Sequence, residues 1–220
     1  DGLKKENVEF LYLKKDEPIP TGSCLILITP DSERTMCTYL GTAGKINDQD
    51  ININDIKNSE ITFLEGYLWD EGELKKAFNK AINNSNKVAM SLSDIFCVER
   101  HKAEFLDLVK NKLDIIFANE QEIMSLINTK DFKDVIDFTK ILNKNVVITR
   151  GEKGAIAVNK GEVFECNAKE NLNISDLTGA GDLFAAGYLH GIINNMSSKE
   201  SLEKGTELSS KIIQKIGARI

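Results

Sequence analysis

"KVAMSLSDIFCVERHKAEFLDLVKNKLDIIFANEQEIMSLIN", residues 87–128, decides the fold. Two short apolar runs, "KVAMSLS" and "LDIIFA", flank "HKAEFLDLVKNK", whose apolar residues recur at helical spacing. A helix between two strands carries the chain back to the same sheet end, so the strands run parallel. The unit repeats outward. Upstream, "ITFLEGYLW" (61–69) reads as a strand and "DEGELKKAFNKAINNS" (70–85) as a helix; downstream, "EQEIMSLIN" (120–128) and "KDFKDVIDFTKIL" (130–142) read as helices before a strand, "NVVITR" (145–150). This alternation predicts an α/β domain with a mostly parallel sheet.

"GAIAVNKGEVFEC" (154–166) then reads as a hairpin turning at Lys160–Gly161, adding antiparallel strands at one sheet edge. Two helices follow. The last places Leu202, Gly205, Ser209, Ile212 and Ile216 on one face, with Gly217 as its C-cap. The first 43 residues differ: they hold Pro18, Pro20 and Pro30, and three strand-like runs, "VEFLYL" (8–13), "CLILIT" (24–29) and "RTMCTYLG" (34–41). We expect a small sheet over 1–43, an edge or a lid, attached to an α/β core over 44–220.

Lys and Arg total 28 against 34 Asp and Glu, a net charge of -6 with no basic tract, which argues against a nucleic-acid partner. The apolar runs are too short to span a bilayer and no signal-peptide pattern opens the chain, so no membrane partner and a cytoplasmic location are expected. Cys24, Cys37, Cys97 and Cys166 are too scattered for a zinc site or disulfide framework and read as small buried residues. Neither His101 nor His190 has companions at ligand spacing, and Tyr67 and Trp69 read as hydrophobic anchors beside the sheet.

The remaining signal is "TGAGD", residues 178–182, at the mouth of a helix. The first turn of a helix has N–H groups without intrahelical partners, and Gly179, Ala180 and Gly181 offer little side chain to keep an anion from them. Asp182 would repel that anion unless it takes a proton from an attacking hydroxyl or faces a metal. The plainer alternative is an acidic residue in a first turn, with Ala185, Ala186 and Gly187 permitting close helix-to-sheet packing.

These residues resemble a known family, the ribokinase-like (PfkB) carbohydrate and nucleoside kinases. "DLTGAGD" (176–182) nearly matches its signature D-T-x-G-A-G-D, with Leu177 in place of a threonine. "PTGSCLILITPDSERTMCTYLG" (20–41) is similar to its lid, "FLEGYLWD" (63–70) to the segment after it, "IIFANEQE" (115–122) to its N-x-x-E motif, and "VITRGEKGAIAV" (147–158) to its nucleotide-side turn. "GYLWD", "SLSDIFCVERH" and "KIGARI" look most like the bacterial adenosine-kinase-like branch.

The resemblance implies a three-layer α/β/α fold with part of a β lid, and transfer of the ATP γ-phosphoryl group to a primary hydroxyl of adenosine, a related nucleoside or, alternatively, a sugar. A non-catalytic nucleotide-binding protein is a third reading. The resemblance makes Asp182 the base and Gly179, Ala180 and Gly181 the anion hole. Asn119 and Glu122 would act through water on Mg2+, although "NEQE" equally fits a helix cap. Thr149, Arg150, Gly151 and Gly154 would approach the nucleotide, and a monovalent cation is expected near Asp176. Arg34 would close over the phosphates, or else pair with Asp31 or Glu33. A homodimer through the lid strands is also implied. The Gly-Gly motif and aspartate that hold the acceptor in this family are not found before "PTGSC", so the chain reads as the C-terminal part of a longer protein, aggregation-prone by itself.

Overall fold

A computed structural model describes residues 2–11, 16, 18–69 and 72–220. A short helix α1 (Gly2–Lys5) precedes an antiparallel hairpin, β1 (Ser23–Ile28) and β2 (Arg34–Tyr39), in the register Ser23↔Tyr39 to Ile28↔Arg34. After α2 (Ile53–Asn58) the core follows as β3 (Thr62–Glu65), α3 (Glu73–Asn84), β4 (Val88–Ser91), α4 (Ile95–Arg100), α5 (Lys102–Asn111) and β5 (Ile115–Asn119). Then come α6 (Glu120–Ile127), α7 (Phe132–Leu142), β6 (Asn145–Thr149), β7 (Ala155–Asn159), β8 (Glu162–Cys166), α8 (Ala180–Ile193) and α9 (Ser198–Ile212).

β3 to β8 form one sheet in sequence order; β3 to β6 are parallel, and β7 and β8 add antiparallel at one edge. Successive side chains of a strand point to opposite faces, and in the central strands β4 to β7 both faces are buried. Val88, Met90, Ile116, Val146 and Ile148 pack on one side against Phe78, Val98, Phe105, Ile123 and Val135 from α3 to α7. Ala89, Ile115, Phe117 and Val147 pack on the other against Phe184, Ala185, Tyr188 and Leu202 from α8 and α9. The result is the three-layer α/β/α architecture. Full burial of a side chain such as Phe105 contributes about 1.5–3 kcal/mol.

Polar residues set the helix ends. Asp94 starts α4 by accepting the Cys97 N–H at 2.7 Å. Ser197 and Glu200 form a reciprocal cap on α9, and Asn128 and Asn143, both left-handed, end α6 and α7. α8 and α9 lie close because Gly187 meets Gly205: a Cβ on Gly187 would stand 2.8 Å from the Gly205 Cα.

Several expectations need correction. Residues 8–11 form no strand, and the rest of that run, 12 and 13, lies outside the described residues. The 61–69 strand stops at Glu65, where Gly66–Leu68 turns as a 3-10 helix. α4 was hidden in "IFCVER", too short to show a period. α9 ends at Ile212, leaving Ile216 80% exposed and Gly217 beyond the helix rather than at its cap. Cys24 and Cys37 are exposed on the hairpin, and Cys166 is only half-buried. Gly187 serves helix-to-helix rather than helix-to-sheet contact, and Ala186 is exposed. Among the described residues no helix is long and apolar enough to cross a membrane.

Candidate active site

The sheet register brings the expected site residues to one end of the molecule. Asn119 closes β5 and pairs with Thr149 at the end of β6; Thr149 pairs with Ala155, and Ala155 with Cys166. The chain therefore leaves β8 at the same end as the four parallel strands, and residues 167–179 carry it to the mouth of α8 there.

Asp176 shapes that mouth. It is 1% exposed, and its Oδ1 accepts both the Thr178 N–H, at 2.8 Å, and the Thr178 hydroxyl, at 2.6 Å. Gly179 follows at φ +80, a conformation glycine adopts without strain. The Leu183 N–H returns to the Gly179 carbonyl at 2.9 Å and starts the helix. The Ala180 N–H turns inward to the Leu177 carbonyl, 3.2 Å away. By helix geometry the outward amides are then those of Gly181 and Asp182. A Cβ at Gly181 would meet nothing within 4 Å, so the approach is open. Asp182 is exposed in the first turn.

Across from Asp182 lies a set of residues that sequence reading missed. Glu65 ends β3, and the Ser93 hydroxyl donates to its Oε2 at 3.0 Å. Ser93 sits at φ +73, unusual for a residue with a side chain, and also accepts the Tyr67 N–H at 3.2 Å, while the Tyr67 hydroxyl donates to the Ser93 carbonyl at 2.9 Å. Tyr67 is thus 51% exposed at the strand ends rather than a buried anchor; Trp69 is the buried one, with its Nε1–H donated to Glu104. Burial raises the Glu65 carboxyl above its ordinary range, Ser93 opposes the rise, and the Asp182 charge adds to it. The available signal was an acidic residue at the end of an apolar run, directly before a glycine.

Glu122 is 5% exposed and forms with Asn119 the reciprocal cap of α6: the Asn119 N–H and Nδ2 donate to its two oxygens at 2.9 and 2.6 Å, and its own N–H donates to Asn119 Oδ1 at 2.8 Å. Burial foremost, then the Asp94 and Glu65 charges, push its carboxyl up to about 7 against the opposing Asn119 bonds. A cation in front of these crowded carboxylates would relieve their repulsion. With both Glu122 oxygens already engaged, contact through water suits the geometry better than direct ligation.

Beyond the end of β6, Arg150 is anchored: its Nε donates to Glu120 at 2.9 Å and its guanidinium lies 3.9 Å over the Phe132 ring. Gly151 is at φ +58 with open space where a Cβ would point. At Gly154, φ +86, a Cβ would fall 2.0 Å from the Cys166 carbonyl, so close backbone approach requires glycine. Burial would raise the Asp176 carboxyl, but the bonds from Thr178 and Gly217 hold it below its ordinary value, with the Arg34 charge a lesser help. The Asp31 carboxylate receives instead the Thr29 hydroxyl and the Glu33 N–H.

The family model described as pfkB family carbohydrate kinase matches residues 1–220. The crystal structure of adenosine kinase from Sinorhizobium meliloti is 34% identical, with a TM-score of 0.95 over 100% of this chain and 68% of that one. That of a probable sugar kinase protein from Rhizobium etli is also 34% identical, with a TM-score of 0.92 over 99% of this chain and 67% of that one. The adenosine kinase of Schizosaccharomyces pombe is 26% identical over 226 residues, 93% of this chain and 66% of that protein. The chain therefore spans about two thirds of the length of these relatives. On the match along its whole length, the chain belongs to the pfkB family of carbohydrate kinases.

Proposed function

We propose that the protein transfers the γ-phosphoryl group of ATP to a primary hydroxyl of adenosine or a related nucleoside. One observation carries this reading: an exposed carboxylate, Asp182, follows directly on an unobstructed helix mouth at the shared strand ends. Asp182 takes the proton of the acceptor hydroxyl as its oxygen attacks phosphorus. The outward amides of the 179–182 turn stabilise charge on the transferred group. Thr149, Arg150, Gly151, Gly154 and Asn119 hold the nucleotide. Mg2+, held through water by Glu122 and Asn119, would neutralise phosphate charge.

Asp176 lends no support to the monovalent cation expected beside it, since three donors and the Arg34 charge already offset its carboxylate. Residues 1–43 act as lid and 44–220 as core in this reading, and the exposed Leu25, Leu27 and Met36 of the hairpin support pairing of two copies there. Dependence on ATP and the free thiols fit a cytoplasmic location.

Nucleoside is preferred because adenosine kinases recur among the relatives. A sugar acceptor is the second reading, supported by the equal identity to the Rhizobium etli protein. The test is ATP consumption by the complete protein against adenosine, ribose, fructose and ketodeoxygluconate, with Asp182→Asn alongside. The variant should lose roughly 100-fold or more in kcat and keep its ATP affinity. Unchanged turnover would remove Asp182 as the base.

A further inference from the structure

Asp176 holds more than the turn that follows it. Its second oxygen, Oδ2, accepts the N–H of Gly217 at 2.9 Å, from 41 residues further along the chain. Gly217 is at φ +93, a conformation that aims this N–H inward at little cost for glycine. The same segment is fastened twice more: the Ser175 N–H donates to the Ile213 carbonyl at 2.8 Å, and Gly179 lies so near Ala218 that a Cβ there would stand 3.1 Å from the Ala218 Cβ. From the opposite side comes the β1–β2 hairpin, whose Ser32 hydroxyl donates to the Ile174 carbonyl at 3.1 Å. Arg34, at the start of β2, brings a positive charge toward the carboxylate.

We propose that Asp176 is a positioning residue that ties residues 213–218 to the phosphate-facing turn 178–182, with the 29–34 hairpin turn fastened to the same stretch at Ile174, so that the three move as one mechanical unit. A buried charge is tolerated only where it is fully satisfied, and here the donors come from separate parts of the chain. The phosphate-facing amides are then set by the hairpin and the 213–218 segment as well as by α8. Movement of the hairpin onto a ligand would reach those amides through Ile174 and the Asp176 carboxylate two residues on. The proposal rests on the reading of residues 179–182 as the phosphate site, but its test does not depend on turnover.

The test is amide hydrogen exchange, read by mass spectrometry, on the complete protein without ligand. Asp176→Asn keeps the side-chain size, removes the charge and presents an amide where an acceptor is needed. Exchange should quicken by about tenfold or more at 29–34, 177–183 and 213–218 together, while β4 to β6 stay protected. Faster exchange confined to residues 177 and 178 would overturn the proposal. Ser32→Ala, a milder change on the hairpin turn, should loosen 29–34 and 174–178 in step; loosening of the hairpin alone would count against the junction. Potassium chloride provides a third comparison with choline chloride as the control. If potassium selectively slows exchange in the three segments of the wild type and not in Asp176→Asn, a cation fills the role assigned to Gly217 and Arg34, and the proposal fails. Wild-type turnover in Asp182→Asn would instead sink the general base and leave this result standing.

Discussion

Replacing Glu122 with Gln in the complete protein removes the titration of a nearly fully buried carboxyl. In the folded state burial, with Asp94 and Glu65 beyond it, holds that group up at about 7, against 4.5 for an unperturbed glutamate. Between those values the folded state keeps a proton that the unfolded chain has released. Stability from this group is therefore fully present below 4.5 and is lost as pH rises through 7. At about 1.4 kcal/mol per pH unit, the loss is on the order of 3 kcal/mol near pH 8. Gln is a neutral stand-in for the protonated acid: its carbonyl still accepts one Asn119 bond, and its amide, like the acid O–H, is a donor. Urea unfolding in the absence of divalent cations, followed by circular dichroism, should give the two proteins similar stability near pH 5. Near pH 8 Glu122→Gln should be the more stable, by on the order of 3 kcal/mol. A gap that does not change with pH would mean that Glu122 ionises normally in the fold, and the crowding of Glu65, Asp94 and Glu122 would then carry no electrostatic weight.

Two further outcomes follow from the geometry. Gly181→Leu should fold as the wild type does, since its new side chain meets open space, yet weaken ATP binding at least about tenfold in calorimetry by covering the outward amides. Tyr188→Phe strips the donor from the Asn145 Oδ1, 2.9 Å away in the core, and should lower stability by about 1–2 kcal/mol in urea unfolding; an unchanged midpoint would mean that water replaces the bond.

The sheet was legible because its signal is local. "NVVIT" and "IIFAN" are buried on both faces, so no alternation blurs them, and the helices between carry a clear apolar period. The turn at the mouth of α8 was legible for a related reason: small residues before an acidic one at a helix start need no distant partner to be recognised. Glu65, Ser93 and Tyr67 were not legible, since what makes them a group is the pairing of Glu65 with Ser91 across β3 and β4 and a left-handed serine after it. The bond from Gly217 to Asp176 leaves no local trace, because a glycine near a helix end has the pattern of a cap whatever its N–H binds. Burial of Glu122 likewise depends on how α4 and α6 pack, which leaves the capping pattern in "NEQE" unchanged.

The neighbour-to-neighbour order of the sheet also bears on how the chain is made. Each strand from β4 to β8 pairs with the one before it, so during synthesis each of them finds its partner already in place, and few sheet contacts must wait for distant sequence. The turn at the mouth of α8 is the exception. It emerges from the ribosome well before Gly217, the residue that completes the shell of Asp176, and it opens a helix whose apolar side needs both the finished sheet and α9. A nascent chain can therefore hold the β3 to β8 sheet while the mouth of α8 still lacks its partner at Gly217, so this end of the molecule sets after the sheet rather than along with it.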